Sequence, residues 1–260
     1  MENTPPYHGS DIDWRAWLER WDHQQAGSLP SREERFAVML DALEVLLPSP
    51  FLALDLACGP GSLSQRLLDR FPEARCLAVD LDPVLLTLGR NALGEMDGRL
   101  RWIEADIRDP GWLSRLGVTQ VDTVLTTTAL HWLRPEALLP LYQQLATLIR
   151  PGGLFLNGDH LRFPPHQSSL QVLAEHIARR QEQAIVQQGG ENWAQWWEAL
   201  AQETVLAEEF AERERRFHWR DHGEVWQTLD LHEAALRNAG FREVGVCWQE
   251  LDNRVLLAVR

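Results

Sequence analysis

With 260 residues the chain has room for one large α/β domain or two small ones with separate cores. Lys and Arg total 25 against 38 Asp and Glu, a net charge of -13 that repels a phosphate backbone and excludes nucleic acid and anionic membrane as expected partners, leaving a small-molecule or neutral one. Cys58, Cys76 and Cys247 are too scattered for a disulfide framework or a metal cluster, the start MENTPPYHGSDIDW lacks the pattern of a signal peptide, and no apolar run would cross a bilayer, so a soluble cytoplasmic protein with no metal is expected.

Trp14, Trp17 and Trp21 recur near helical spacing at the N-terminus. SREERFAVMLDALEVLL then opens with Ser31 and Glu34 at capping-box spacing, repeats apolar residues at helical intervals and ends at Pro48. Residues 51–57, 75–80, 100–104, 121–126 and 153–158 read as five strands alternating with helical segments, the signature of a parallel sheet covered on both faces. The second linking helix starts at DPVLLTLGRNAL, with Asp82 as N-cap and Pro83 at its first position. From 160 to 220 the rhythm breaks into two helical stretches, SSLQVLAEHIARRQEQAIVQQ and ENWAQWWEALAQETVLAEEFAERE, separated by Gly189 and Gly190, which read as an inserted helical lid. The α/β pattern resumes with a helix near 223–239, a Gly240 C-cap, and the strands FREVGVCW and RVLLAVR. The few residues around Asp252 and Asn253 that join these strands are too short for a parallel crossover and require an antiparallel hairpin.

The first strand runs into a glycine bend, DLACGPG, where Gly59 and Gly61 remove side chains from a turn that aims backbone N–H groups and a helix N-terminus above the sheet. Acids mark neighbouring strands: Asp55 just below the bend, Asp80 at the end of the second strand, placed to accept both hydroxyls of a ribose, and Asp106 after the third, placed to accept from an exocyclic amine. The alternative for each is structural, a helix cap or a brace for the turn; Asp82 suits capping, and Asp55 suits either role.

DLACGPG, AVDLDP, EADIRD and LIRPGGLFL, in that order and spacing, resemble the class I S-adenosylmethionine-dependent methyltransferases of small-molecule type, as does the C-terminal hairpin. The resemblance covers roughly residues 51–159 and 223–260. It implies a doubly wound, seven-stranded Rossmann-like α/β sheet of order 3-2-1-4-5-7-6 with the last strand antiparallel, and S-adenosyl-L-methionine as cofactor. It also implies roles: Gly59 and Gly61 beside the methionine part, Asp55 near its amino group through backbone or water, Asp80 on the ribose, Leu81 on an adenine face, Asp106 with the Ile107 N–H on the adenine, Thr127 near the methionine end. The expected organisation is N-terminal helices over the cleft (1–50), a core (51–159 and 221–260) and a lid (160–220). Two other readings stand beside it. A dinucleotide-binding oxidoreductase would place a small glycine-like residue three after Gly61, where Ser64 stands, and would not predict the hairpin; a methyltransferase-like binding protein would keep the fold without turnover.

The fourth strand ends in TTTALHWL, which resembles the A-x-x-W region of small-molecule and small-acid methyltransferases and places His131 toward the cleft. His131 suits a general base or a residue bonded to the backbone; His160, in GDHL, has the same two readings, and Asp159 is placed to orient either. Cys58 reads as a small buried residue, and His218 with His222 is a poor metal pair. The tryptophans at 14–21 and 193–197 pack helices and, over a cleft, would line an apolar pocket for an aromatic or hydrophobic acceptor.

Overall fold

The computed structural model describes residues 12–29, 31–187, 189–218 and 227–260. Seven strands, β1 (Leu52–Leu56), β2 (Arg75–Asp80), β3 (Leu100–Glu104), β4 (Val121–Thr127), β5 (Ile149–His160), β6 (Glu243–Glu250) and β7 (Asn253–Val259), form one sheet of order β3-β2-β1-β4-β5-β7-β6. The first five are parallel and β7 enters antiparallel between β5 and β6, with Asn253 opposite His160. Both the order and the hairpin are those expected. The C-terminal ends of β1, β2, β4 and β5 therefore share one edge of the sheet, and the β6–β7 turn reaches it too.

The strands are apolar on both faces because helices cover both. On one side α2 (Arg32–Leu46), α3 (Ser62–Arg70) and α4 (Pro83–Leu93) bury Phe36, Met39, Leu43, Leu67 and Leu86 against the sheet. On the other, α5 (Pro135–Leu148) and α9 (Leu229–Ala239) pack Leu141, Tyr142, Leu145 and Leu236 against Phe155 and Val124. A smaller third cluster joins α1 (Trp14–Ser28), α4, α7 (Trp193–Leu200) and α8 (Ala207–Phe217). There the two tryptophan groups meet edge to face: Trp21 to Trp196 at 4.8 Å between ring centroids and Trp17 to Trp196 at 6.0 Å. Among the described residues no helix is long and apolar enough to cross a membrane.

Asp82 caps α4 through Val84 N (3.1 Å) and Leu85 N (3.3 Å), with Pro83 following, and Gly240 closes α9 in the left-handed region. Four expectations are corrected. The capping box at Ser31 does not form: the Ser31 hydroxyl donates instead to Glu250, and Glu34 accepts from Trp248 Nε1 at 3.2 Å, so both residues tie α2 to β6. The second lid stretch is broken into α7 and α8 by the turn at Ala201–Glu203 and a short 3-10 segment that buries Leu206. The helix expected near 223–239 is described from Leu229, because Thr228 is extended and bridges Arg162 while the Gln227 carbonyl accepts from the Arg162 N–H; residues 223–226 lie outside the described residues. Strand β5 begins at Ile149, four residues early, and runs to His160, through the boundary expected between core and lid. Between the two strands α6 (Ser168–Gln187) crosses the surface with Ala174 as its buried contact.

Candidate functional site

The bend after β1 is made by three left-handed residues, Ala57, Gly59 and Gly61. Its two glycines serve different neighbours. A Cβ on Gly59 would face the cleft with nothing nearer than 3.8 Å, and the Gly59 N–H is held by Asp80 Oδ2 at 2.7 Å. A Cβ on Gly61 would lie 2.5 Å from the indole of Trp102, which reaches over from β3 and also presses on Gly89. Gly61 thus makes room for a tryptophan of its own chain, and it does not line the cleft.

The acids divide as well. Asp55 lies wholly beneath the bend: Oδ2 accepts from Ser64 Oγ at 2.6 Å, Oδ1 has no partner, and burial pushes its pKa up to about 7. It lines the bend's underside, away from the cleft. Asp80 faces the cleft with each oxygen already accepting one backbone N–H, from Gly59 (2.7 Å) and Asp82 (2.8 Å), and burial followed by the Asp82 charge raises it to about 6. Asp106 lines the cleft in a two-point pair with Arg108, at 2.9 and 2.7 Å; burial works against its charge, but the Arg108 bonds outweigh it and hold the carboxyl below its ordinary value. Cys58, pushed up by burial and by Asp80 and Asp55, is a buried thiol under the turn.

Cys58, Gly59, Asp80 and Asp106 border one cleft of ≈ 510 Å³ at the sheet edge, together with Leu81, Ile107, Thr127, His131 and His160. That size is ordinary for a small-molecule site. The His131 Nδ1 lies 2.7 Å from Asp159 Oδ1, and the His131 backbone N–H donates to Oδ2 at 3.2 Å. Asp159 is completely buried, yet the neighbouring His131, then His160 and Arg35, hold its carboxyl below the usual range. The carboxylate fixes the ring so that Nδ1 is committed and Nε2 is the nitrogen available for chemistry. His160 sits at the same edge, 3.5 Å from Asp252 Oδ1. His218 bonds the Arg215 carbonyl at 2.6 Å, and His222 lies outside the described residues.

Sequence reading missed the cations of the cleft. Arg32 pairs with Asp22 at 3.0 Å, and Arg213 of α8 pairs with Asp82 at 2.7 Å while its guanidinium lies 3.8 Å over Trp197. Arg216 donates to the Leu81 carbonyl (3.0 Å) and pairs with Glu104 (2.8 Å), so α8 is fastened across the tips of β2 and β3. The signal available was slight: arginines in an otherwise acidic helix, AEEFAERERRF. Trp21, Trp132, Trp193, Trp197, Phe36 and Phe217 supply the apolar walls.

Residues 53–153 match the family model described as a methyltransferase domain. Over that stretch the chain carries a methyltransferase domain. The chain is 34% identical over 139 residues to the trans-aconitate 2-methyltransferase of Azoarcus sp. (strain BH72), covering 53% of this chain and 49% of the relative. A trans-aconitate 2-methyltransferase of Acidovorax sp. (strain JS42) is 29% identical over 166 residues, 63% of this chain and 60% of that one. The chain thus spans about half the length of the relatives it matches. Among solved structures, the apo S-adenosylmethionine-dependent methyltransferase SibL superposes with a TM-score of 0.58 at 18% identity over 88% of this chain and 55% of its own. Human N-acetylserotonin methyltransferase in complex with SAM gives 0.53 at 16% identity over 99% and 60%. At those identities the methyltransferase domain shares their fold. The oxidoreductase reading finds no support in these matches.

Proposed function

We propose that this protein transfers the methyl group of S-adenosyl-L-methionine to a small-molecule acceptor, and that Gly59, Asp80, Leu81, Asp106, Ile107 and Thr127 hold the cofactor. One observation carries the reading: a methyltransferase domain whose glycine bend, strand-tip acids and His131 all open on a single cleft. The residues fit the group. The open side of Gly59 and the first turn of α3 suit a carboxylate, Asp80 suits ribose hydroxyls, and the apolar faces of Leu81 and Ile107 suit an adenine. A carboxyl raised to about 6, as Asp80 is, gains from a cationic neighbour. Asp55 acts from below, through Ser64 and the bend, and Gly61 through Trp102. We take residues 51–160 and 227–260 as the core, with α1, α2, α7 and α8 covering the cleft.

When bound, S-adenosylmethionine would supply an electrophilic methyl carbon on a sulfonium, with the sulfur as leaving group. The chain's own residues align the acceptor between aromatic walls, exclude water and receive a proton. His131, its Nδ1 held by Asp159, takes that proton at Nε2; His160 is the second candidate at the same edge.

The acceptor we propose is aromatic or hydrophobic. The relatives are named for trans-aconitate, a polycarboxylate, but each arginine lining this cleft already faces an acid: Arg32 with Asp22, Arg108 with Asp106, Arg213 with Asp82. Indoles form much of the remaining wall. Free Cys58, Cys76 and Cys247 suit a reducing, cytoplasmic setting.

Calorimetry with S-adenosylmethionine, S-adenosylhomocysteine and NAD tests the cofactor: the first two bind and NAD does not. Binding of neither adenosyl compound ends the proposal. An acceptor panel of aromatic hydroxy and amino compounds beside trans-aconitate, read by S-adenosylhomocysteine release, tests the acceptor class, and turnover of trans-aconitate alone overturns it.

A further inference from the structure

Arg35, on α2, is a fully buried guanidinium bound only to neutral oxygens. It donates to Asn253 Oδ1 (3.0 Å) and Thr128 Oγ1 (3.0 Å), and its Nε has no partner. Among the described residues no carboxylate stands within ion-pair distance of it. Burial drags its pKa down to about 10 while the nearby Asp159 charge resists, so it remains a cation at neutral pH. A buried cation without a bonded anion is costly, and such a residue is retained where its charge or geometry is used.

Both uses point to the same edge of the sheet. The Arg35 stem crosses the face of Gly158, where a Cβ would lie 2.9 Å from Cδ, and the next residue is Asp159. Its far end grips Thr128, a β-branched residue in the left-handed region (φ +52°) whose backbone N–H donates to the Gly158 carbonyl at 2.9 Å. Three residues on stands His131 with its Nδ1 on Asp159.

We propose that Arg35 is a positioning residue for methyl transfer: its charge balances Asp159, so that His131 presents an unprotonated Nε2 to the cleft at neutral pH, and its fork fixes Thr128 at the cleft rim. The role rests on the reading of His131 as the proton acceptor. A buried carboxylate bonded to an imidazole favours the ring's doubly protonated form, which accepts nothing; a second cation beside the same carboxylate opposes that. The other groups around the pair do not supply a permanent one. His160 lies beside Asp159 on β5, and its partner Asp252 is on the β6–β7 turn. Tyr142 of α5 and His232 of α9 bond each other at 2.6 Å, and burial pulls His232 down to about 4, leaving it neutral. Arg254 of β7 is directed to the Leu161 carbonyl and lies over Phe163; Arg32 pairs with Asp22.

Long-range nitrogen–carbon NMR of the histidine side chains, with His131 assigned by its loss in His131→Gln, reads the tautomer and the titration without an acceptor. In the wild type at pH 7.5, Nδ1 should carry the proton and Nε2 none. In Arg35→Gln the pH of half-protonation of His131 should rise, while Arg35→Lys should match the wild type and Thr128→Val should leave the titration unmoved. A wild-type His131 doubly protonated at pH 7.5 overturns the proposal even if every variant fails to fold, as does a folded Arg35→Gln with the wild-type midpoint. Absence of S-adenosylmethionine binding in calorimetry would instead sink the methyltransferase reading, and the two failures are separable.

Discussion

At the scale of single residues, the glycine bend separates two demands that the sequence presents as one motif. Gly59 is open to the cleft, and Gly61 is open to Trp102. Gly61→Ala sets a methyl into an indole in a backbone region disfavoured for alanine, and should cost roughly 2–4 kcal/mol of stability in urea unfolding. A cycle with Trp102→Leu should show a coupling of at least ~1 kcal/mol; additivity would mean that the clash is not the cause. Asp55 gives a second prediction. Its folded pKa of about 7 lies above the ordinary carboxyl value, so the native state holds a proton that the unfolded chain releases, and stability falls as pH rises from about 4 to about 7. The slope cannot exceed ~1.4 kcal/mol per pH unit for one group. Asp55→Asn should flatten the thermal midpoint across that window, apart from the same-signed contribution of Asp80 below about 6; an unaltered slope refutes the assignment. The acids and glycines were legible because their chemistry repeats at strand ends. Arg35 was not, because within REERFAVML nothing distinguishes a buried arginine from one reaching solvent, and its partners Thr128 and Asn253 are distant in the chain.

At the scale of elements, α8 is a clasp. Arg213 on Asp82, and Arg216 on the Leu81 carbonyl and Glu104, fasten it over the tips of β2 and β3, where the proposed adenosine site lies. These pairs are partly buried, so removing both should matter more than surface pairs do. Arg213→Ala with Arg216→Ala should speed release of radiolabelled S-adenosylhomocysteine in a chase experiment by about 5–30-fold, the equivalent of roughly 1–2 kcal/mol. An unchanged release rate would show that α8 lies over the cleft without holding it shut. The strands and helices that pack the sheet follow the apolar periodicity of the sequence, since burial on two faces writes itself into every second or fourth residue. Breaks set by tertiary contacts left weaker traces. Ser31 and Glu34 had the local pattern of a cap and were taken instead by Glu250 and Trp248 of β6, and the turn between α7 and α8 falls in a run of good helix formers, where only the packing of Leu200 and Leu206 demands a change of direction.

At the scale of the whole molecule, the cleft draws on both sides of the chain: α1, α2, α7 and α8 from the helical segments and the ends of β1 to β5 from the core, while Asp252 of the hairpin braces His160 at its border. Occupation should therefore stabilise the fold as one body. S-Adenosylhomocysteine at about 100 times its Kd should add ~2.7 kcal/mol, and at roughly 2–4 °C per kcal/mol for a domain of this size the melting midpoint should rise by about 5–10 °C, with NAD giving no shift. A rise confined to one of two transitions would show that lid and core unfold separately. The hairpin was readable from the few residues between β6 and β7, and the strand order from the resemblance of the strand-end motifs to the methyltransferases, whereas the meeting of the two tryptophan groups depends on helices that are neighbours in space alone.

Those tryptophans have one more consequence. Trp132 and Trp193 are 43% and 47% exposed where they border the cleft, while Trp21 and Trp197 stand deeper in its wall. The colour of indole emission follows the water around the ring, so the protein carries its own optical gauge of whether the chamber is full. Displacing solvent from the two outer rings should move the emission toward the blue, and titrating candidate compounds in a plain cuvette would rank them with no label attached.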